Sequence, residues 1–135
     1  MRLISVVIGA KSGQERFKES TTLLNFGFSN FTNKQLVNKQ DKLSTANILH
    51  SKNKEVDVFA KEDFYVIDKK GTNGQYQCNV VINENLAAPI SKEMPIGKVI
   101  VTKNGKVIKE IDVVTNCDIS KITYFESIKK VTKNW

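Results

Sequence analysis

The sequence has little of what usually announces a chemistry. Two cysteines, Cys78 and Cys117, cannot make a disulfide framework, and with no Cys-x-x-Cys they do not make a metal site. His50 is the only histidine, so zinc has no second imidazole, and a surface role for this residue is expected. No apolar run is long enough to span a bilayer. The two prolines, Pro89 and Pro95, fall together in LAAPISKEMPIG, between strand-like stretches that tolerate a missing amide donor there. No cofactor and no metal are expected.

What is present describes an ordinary soluble chain. It has 135 residues, 40% of them hydrophobic and 26% charged, which sets a limit of about one domain with small attachments. The formal net charge of +7 suits an anionic partner. The excess is spread, roughly +2 over residues 1–31, +3 over 32–117 and +2 over 118–135. Acidic and basic residues alternate through the middle and aromatics do not cluster on basic strands, so no nucleic-acid partner is expected.

The chain opens RLISVVIGAKS. A signal peptide needs a longer apolar core and a small-residue cleavage site, and Lys11 interrupts the run, so none is read here. A phosphate loop fails because GAKSG lacks the first glycine at the required spacing. A strand fits: Leu3, Ser5 and Val7 point one way and Ile4, Val6 and Ile8 the other, both faces nearly apolar. Residues 13–31 then read as a helix, with Phe17, Leu24, Phe28 and Phe31 at near-helical spacing. One strand and one helix cannot enclose a core. Residues 1–31 are therefore expected to close a larger domain, with Met1 at an interior position of it.

Residues 32–117 read as β-structure. Short runs at 43–50, 54–60, 64–68, 75–83, 98–103 and 106–114 are separated by turn signals, and Asn104-Gly105 marks a hairpin. The fold class is mainly β, a small antiparallel sandwich or barrel-like domain preceded by a strand-helix remnant and followed by an amphipathic helix. Cys78 alternates with Tyr76, Val80 and Ile82 and is expected to be buried. The carboxylates alternate with lysines and read as solvated faces.

Residues 118–135 change again. Ile119, Ile122, Phe125, Ile128, Val131 and Trp135 recur every three or four residues, with Lys121, Lys129, Lys130 and Lys133 at other positions. An apolar stripe with a basic opposite face, ending in tryptophan, fits a helix lying in a membrane interface. Packing on the chain's own β domain is the competing reading. A membrane surface is thus an expected partner, and these ten residues its expected contacts.

Together the segments carry a resemblance. RLISVVIGAKSGQERFKESTTLLNFGFSNF resembles the end of the penicillin-binding domain of D-alanyl-D-alanine carboxypeptidases, the low-molecular-mass penicillin-binding proteins. LAAPISKEMPIGKVIVTKNGKVIKEIDVV is similar to that family's C-terminal β domain, and YFESIKKVTKNW to the start of its amphipathic anchor. The resemblance implies a parent enzyme of peptidoglycan maturation at the extracytoplasmic face of the bacterial cell membrane, with peptidoglycan or wall-synthesis proteins as possible partners. It also implies an acyl-serine chemistry built from Ser-x-x-Lys, Ser-x-Asn and Lys-Thr-Gly. The strings Ser51-Lys52-Asn53-Lys54, Ser127-Ile128-Lys129-Lys130 and Lys11-Ser12-Gly13 sit in the wrong contexts, so no catalytic residue is assigned. Such a chain is expected to be inactive without its catalytic domain. By resemblance alone, Arg16 matches an arginine associated with the substrate's terminal carboxylate, a role that suits a guanidinium. An independent cell-wall or protein-binding β module and, less favoured, a basic nucleic-acid binder are the alternatives.

Overall fold

The helix expected over 13–31 forms because its first turn is capped. In the computed structural model, which describes residues 1–132 without the side chains of Phe125 and Lys130, α1 spans Gly13–Asn30. Ser12, extended at the N-cap, accepts the Glu15 amide on its hydroxyl at 3.2 Å. The Glu15 carboxylate in turn accepts the Lys11 amide at 3.2 Å. Two otherwise orphaned donors are satisfied, and an acidic side chain sits at the positive end of the helix. The Lys-Ser-Gly string is thus a helix start. Ser12→Ala is expected to weaken the first turn by about 1 kcal/mol, read as about fivefold faster hydrogen exchange at the Glu15 amide. Unchanged exchange would show that the cap contributes nothing.

The chain divides into two units. The first comprises Met1–Leu36 and Tyr65–Gly74: the opening segment, α1, most of β1 (Phe31–Val37) and most of β4 (Phe64–Lys69), these two strands forming a two-stranded sheet. Lys70 ties its two stretches, its amide reaching the Asn30 carbonyl at 2.7 Å and its ammonium the Phe28 carbonyl at 2.9 Å. Phe26 and Phe31 meet edge to face, 6.4 Å between centroids. No residue of this unit is buried.

Residues 3–8 differ from expectation. They alternate, Leu3, Ser5 and Val7 half-buried and Ile4, Val6 and Ile8 exposed, but form no strand. A ladder needs a neighbour, and among the described residues none pairs with this segment. Leu3 faces α1 at Gly27, where an added Cβ would lie 2.5 Å from its Cδ1. The absence of a Cβ at 27 lets the Leu3 side chain lie directly against the helix backbone.

The second unit, Val37–Phe64 with Gln75–Trp135, holds the core. Five antiparallel strands run in the order β2 (Lys42–Asn47), β3 (Glu55–Ala60), β7 (Lys106–Thr115), β6 (Gly97–Lys103), β5 (Tyr76–Ile82). Asn104 and Gly105 turn β6 into β7 with φ of 51° and 81°, the left-handed pair that a two-residue hairpin needs. Alternation fills the interior: Val58 from β3, Val99 and Val101 from β6, and Ile111, Val113 and Thr115 from β7 are all but inaccessible. Each such aliphatic contributes about 1.5–3 kcal/mol of burial. At the surface lysine meets carboxylate as expected: Lys42–Asp57 at 2.6 Å and Lys98–Glu110 at 2.9 Å, both exposed, and Lys109–Glu62 at 3.1 Å, where Lys109 is half-buried.

Loops close the ends of this sheet. The 83–96 connection, which holds both prolines outside the strands, sends Leu86 and Ala88 to Leu49, and Ile90 exchanges two hydrogen bonds with Ile119 at 3.0 and 2.7 Å. Cys78 is exposed, contrary to expectation: β5 is an edge strand whose inward positions Tyr76, Val80 and Ile82 are themselves only half-buried. The burial it does have pushes its thiol above the ordinary value. Cys117 is exposed as well.

Candidate functional site

Among the described residues, no three His, Cys, Asp or Glu side chains stand together as metal ligands. The serine-lysine strings have structural occupations. The buried Ser51 hydroxyl donates towards the Ile48 carbonyl at 3.1 Å and is also in contact with the Asn53 carbonyl, which folds the 48–54 loop around it. Ser127 lies in α2 (Tyr124–Thr132), its amide bonded to the Thr123 carbonyl. The Ser51 hydroxyl is thus engaged with backbone carbonyls, not with a lysine base. Arg16 is exposed on the first turn of α1.

The C-terminal segment is built differently from the single stripe that its spacing suggests. Ile119 is only 7% exposed and bridges Ile90 in the core, so it is withdrawn from the expected membrane contacts. Ile122 is half-buried; its amide reaches the His50 carbonyl at 2.8 Å, while Lys121 bridges Ser51 before the helix begins. The spacing carried helix and bridge alike, because an isolated β-bridge leaves no period of its own. Within α2, Ile128 and Val131 are exposed, as is Lys129. Lys133 and Trp135 lie outside the described residues, as do the side chains of Phe125 and Lys130.

Sequence reading missed how this helix is held. Lys52 pairs with Glu126 at 3.3 Å across 74 positions, and the Lys52 ammonium holds that carboxyl below its usual range. The loop that carries Lys52 borders a hollow of about 390 Å³, lined by Asn47, Leu49, His50, Lys54 and Ile122 among others. His50 sits at φ 57° in that loop and is exposed, as expected of a surface residue. No local pattern could have signalled an ion pair between a loop and a helix so far apart in sequence.

Two apolar surfaces stand out. In the first unit, Ile4, Val6 and Ile8 are 82%, 75% and 90% exposed, and on α1 Phe17, Leu23, Phe26 and Phe28 also face solvent. In the second, α2 presents Ile128 and Val131. No helix is long and apolar enough to cross a membrane among the described residues.

Residues 31–121 match the family described as penicillin-binding protein 5, C-terminal domain. The chain is 26% identical over its whole length to D-alanyl-D-alanine carboxypeptidase DacF of Bacillus subtilis, of which it spans 35%. It is 29% identical over 93% of its length to carboxypeptidase DacA of Haemophilus influenzae, spanning 32% of that protein. The crystal structure of penicillin binding protein 5 from Haemophilus influenzae superposes on 85% of the chain with a TM-score of 0.66 and 26% identity, using 34% of that structure. The chain thus spans about a third of the length of the relatives it matches. It belongs to the penicillin-binding protein 5 C-terminal domain family.

Proposed function

We propose that this chain is the non-catalytic C-terminal portion of a serine-type D-alanyl-D-alanine carboxypeptidase of peptidoglycan maturation, serving as stalk and membrane-docking piece at the extracytoplasmic face of a bacterial cell membrane. The observation that carries the reading is the first unit's lack of any buried residue beside its exposed row of Ile4, Val6 and Ile8. Three branched aliphatics in one exposed row would each gain about 1.5–3 kcal/mol if another surface covered them. A catalytic domain of the kind named for the relatives supplies such a surface, and Arg16 on the adjoining helix would then lie near its substrate.

Among the described residues, the Ser12 and Ser51 hydroxyls are occupied by backbone groups and not by a lysine base. Alone, the chain is expected to take up no label from a fluorescent penicillin and to release no D-alanine from a D-Ala-D-Ala peptide. Acylation of any serine would overturn the inert reading.

Docking is assigned to α2, where Ile128 and Val131 insert and Lys129 meets anionic headgroups. Co-sedimentation with vesicles containing phosphatidylglycerol tests it. The double variant Ile128→Glu, Val131→Glu is expected to partition at least about tenfold less than the parent chain, from lost apolar insertion. Equal partitioning removes the membrane role.

A further inference from the structure

The outer face of the second unit carries a feature that neither stalk nor anchor explains. On β3 and β7, Phe59 and Val114 are register partners, half-buried, and form an apolar floor. Lys39, Gln40, Lys61 and Asn116 border it in a shallow, open hollow of about 450 Å³. A second hollow of about 410 Å³ adjoins it, sharing Lys61, Val114, Thr115 and Asn116 and adding Lys92 and Glu93. Each has the volume of a small-molecule subsite.

Some lysines of this unit are paired with carboxylates and others are open. Lys42, Lys98 and Lys109 are each neutralised by a carboxylate. Lys39, Lys61 and Lys92 are exposed, and none of their ammonium groups meets a carboxylate within ion-pair distance among the described residues. Their backbones are nevertheless fixed. The Lys39 amide donates to the Asp63 carboxylate at 2.8 Å, the Lys61 amide to the Asp112 carbonyl at 2.9 Å, and the Lys92 amide to the Asp118 carboxylate at 2.8 Å. Three open cations on pinned backbones thus border two consecutive hollows, with carboxamides at Gln40 and Asn116 and an acceptor at Glu93.

We infer that the paired hollows bordered by Lys39, Lys61 and Lys92 bind an anionic glycan strand, one carboxylate-bearing ring per hollow. The aromatic and aliphatic floor suits the C–H face of a sugar ring. The carboxamides and Glu93 suit hydroxyl or acetamido groups, and the ammonium groups meet the carboxylates. Lys61 stands between the hollows and serves both rings. An acidic peptide would satisfy the lysines but leave the floor and the amides without matching groups. This assignment does not rest on the membrane reading; either can fail alone.

Amide-resolved NMR titration of the full chain with short oligogalacturonates tests it. Shifts are expected at Lys61, Lys92, Val114 and Asn116, with little response to malto-oligosaccharides of equal length. The triple variant Lys39→Gln, Lys61→Gln, Lys92→Gln is expected to bind about tenfold more weakly, three exposed ion contacts at ordinary strength, with its thermal unfolding unchanged. Lys54→Gln, Lys106→Gln, Lys121→Gln removes the same charge elsewhere on the unit and is expected to bind as the parent does. Equal weakening in both triple variants would reduce the effect to net charge and overturn the site. Equal binding of oligoglutamate would overturn the glycan assignment, and no shift with oligogalacturonate would overturn the inference outright.

Discussion

Gly97→Ala is expected to lower the stability of the β unit by about 3 kcal/mol, the upper part of the usual cost of overpacking. Gly97 is buried at the start of β6, opposite Ile82 on β5 and Val113 on β7. A Cβ there would collide with the Val81 carbonyl oxygen and stand 2.9 Å from the Ile82 Cα. Both obstacles are backbone, so no rotamer change relieves them. The β5–β6 ladder must part at its last rung, and the Ile96 amide bond to the Val113 carbonyl, at 2.8 Å beside it, is disturbed with it. Gly13→Ala supplies the contrast. Its Cβ would have only the Arg16 guanidinium, 3.9 Å away, for company, and alanine favours the helix. Urea unfolding followed by circular dichroism reads both. A Gly97→Ala loss below about 1 kcal/mol would mean that β5 does not close on β6 at this end.

How far the sequence foretold this architecture depends on the range of each signal. The β6–β7 hairpin was legible because Asn104-Gly105 and the flanking alternation are local, and the helix over Gly13–Asn30 because its pattern is long. Strand β1 escaped notice. FTNKQLV is mostly polar, begins inside the apolar spacing of α1, and is a strand only through β4, some thirty residues on. Residues 3–8 have a strand's composition without a strand's partners, and hydrogen bonds rather than pattern decide the ladder. Cys78 follows the inward register of β5, yet on this edge strand even the inward positions are at most half-buried. The lysine-bordered hollows were invisible for another reason. Residues 39, 61, 92 and 116 share no period and meet only because the ends of β3 and β7 lie together. The same limit hid the Lys52–Glu126 pair.

Ile119→Glu is expected to destabilise the β unit by about 3 kcal/mol or more, while Ile128→Glu, nine residues on in the same apparent stripe, changes stability by less than about 0.5 kcal/mol. Ile119 is 7% exposed and locked to Ile90 by reciprocal backbone hydrogen bonds, so a carboxylate there either loses its hydration or pulls the segment out of the core. Ile128 is 45% exposed on α2 and needs no rearrangement to carry a charge. The order reverses on vesicles containing phosphatidylglycerol: Ile128→Glu weakens partitioning at temperatures where both chains remain folded, and Ile119→Glu leaves it near the parent value. Urea midpoints and co-sedimentation on the same samples separate the two effects. If Ile119→Glu were as stable as the parent and equally poor at binding vesicles, Ile119 would belong to the docking face after all, and the bridge to Ile90 would not hold it in solution. If the stabilities differ as expected, the amphipathic stripe in the sequence is a composite. Its first part packs a β unit, and only α2 is left to meet another surface.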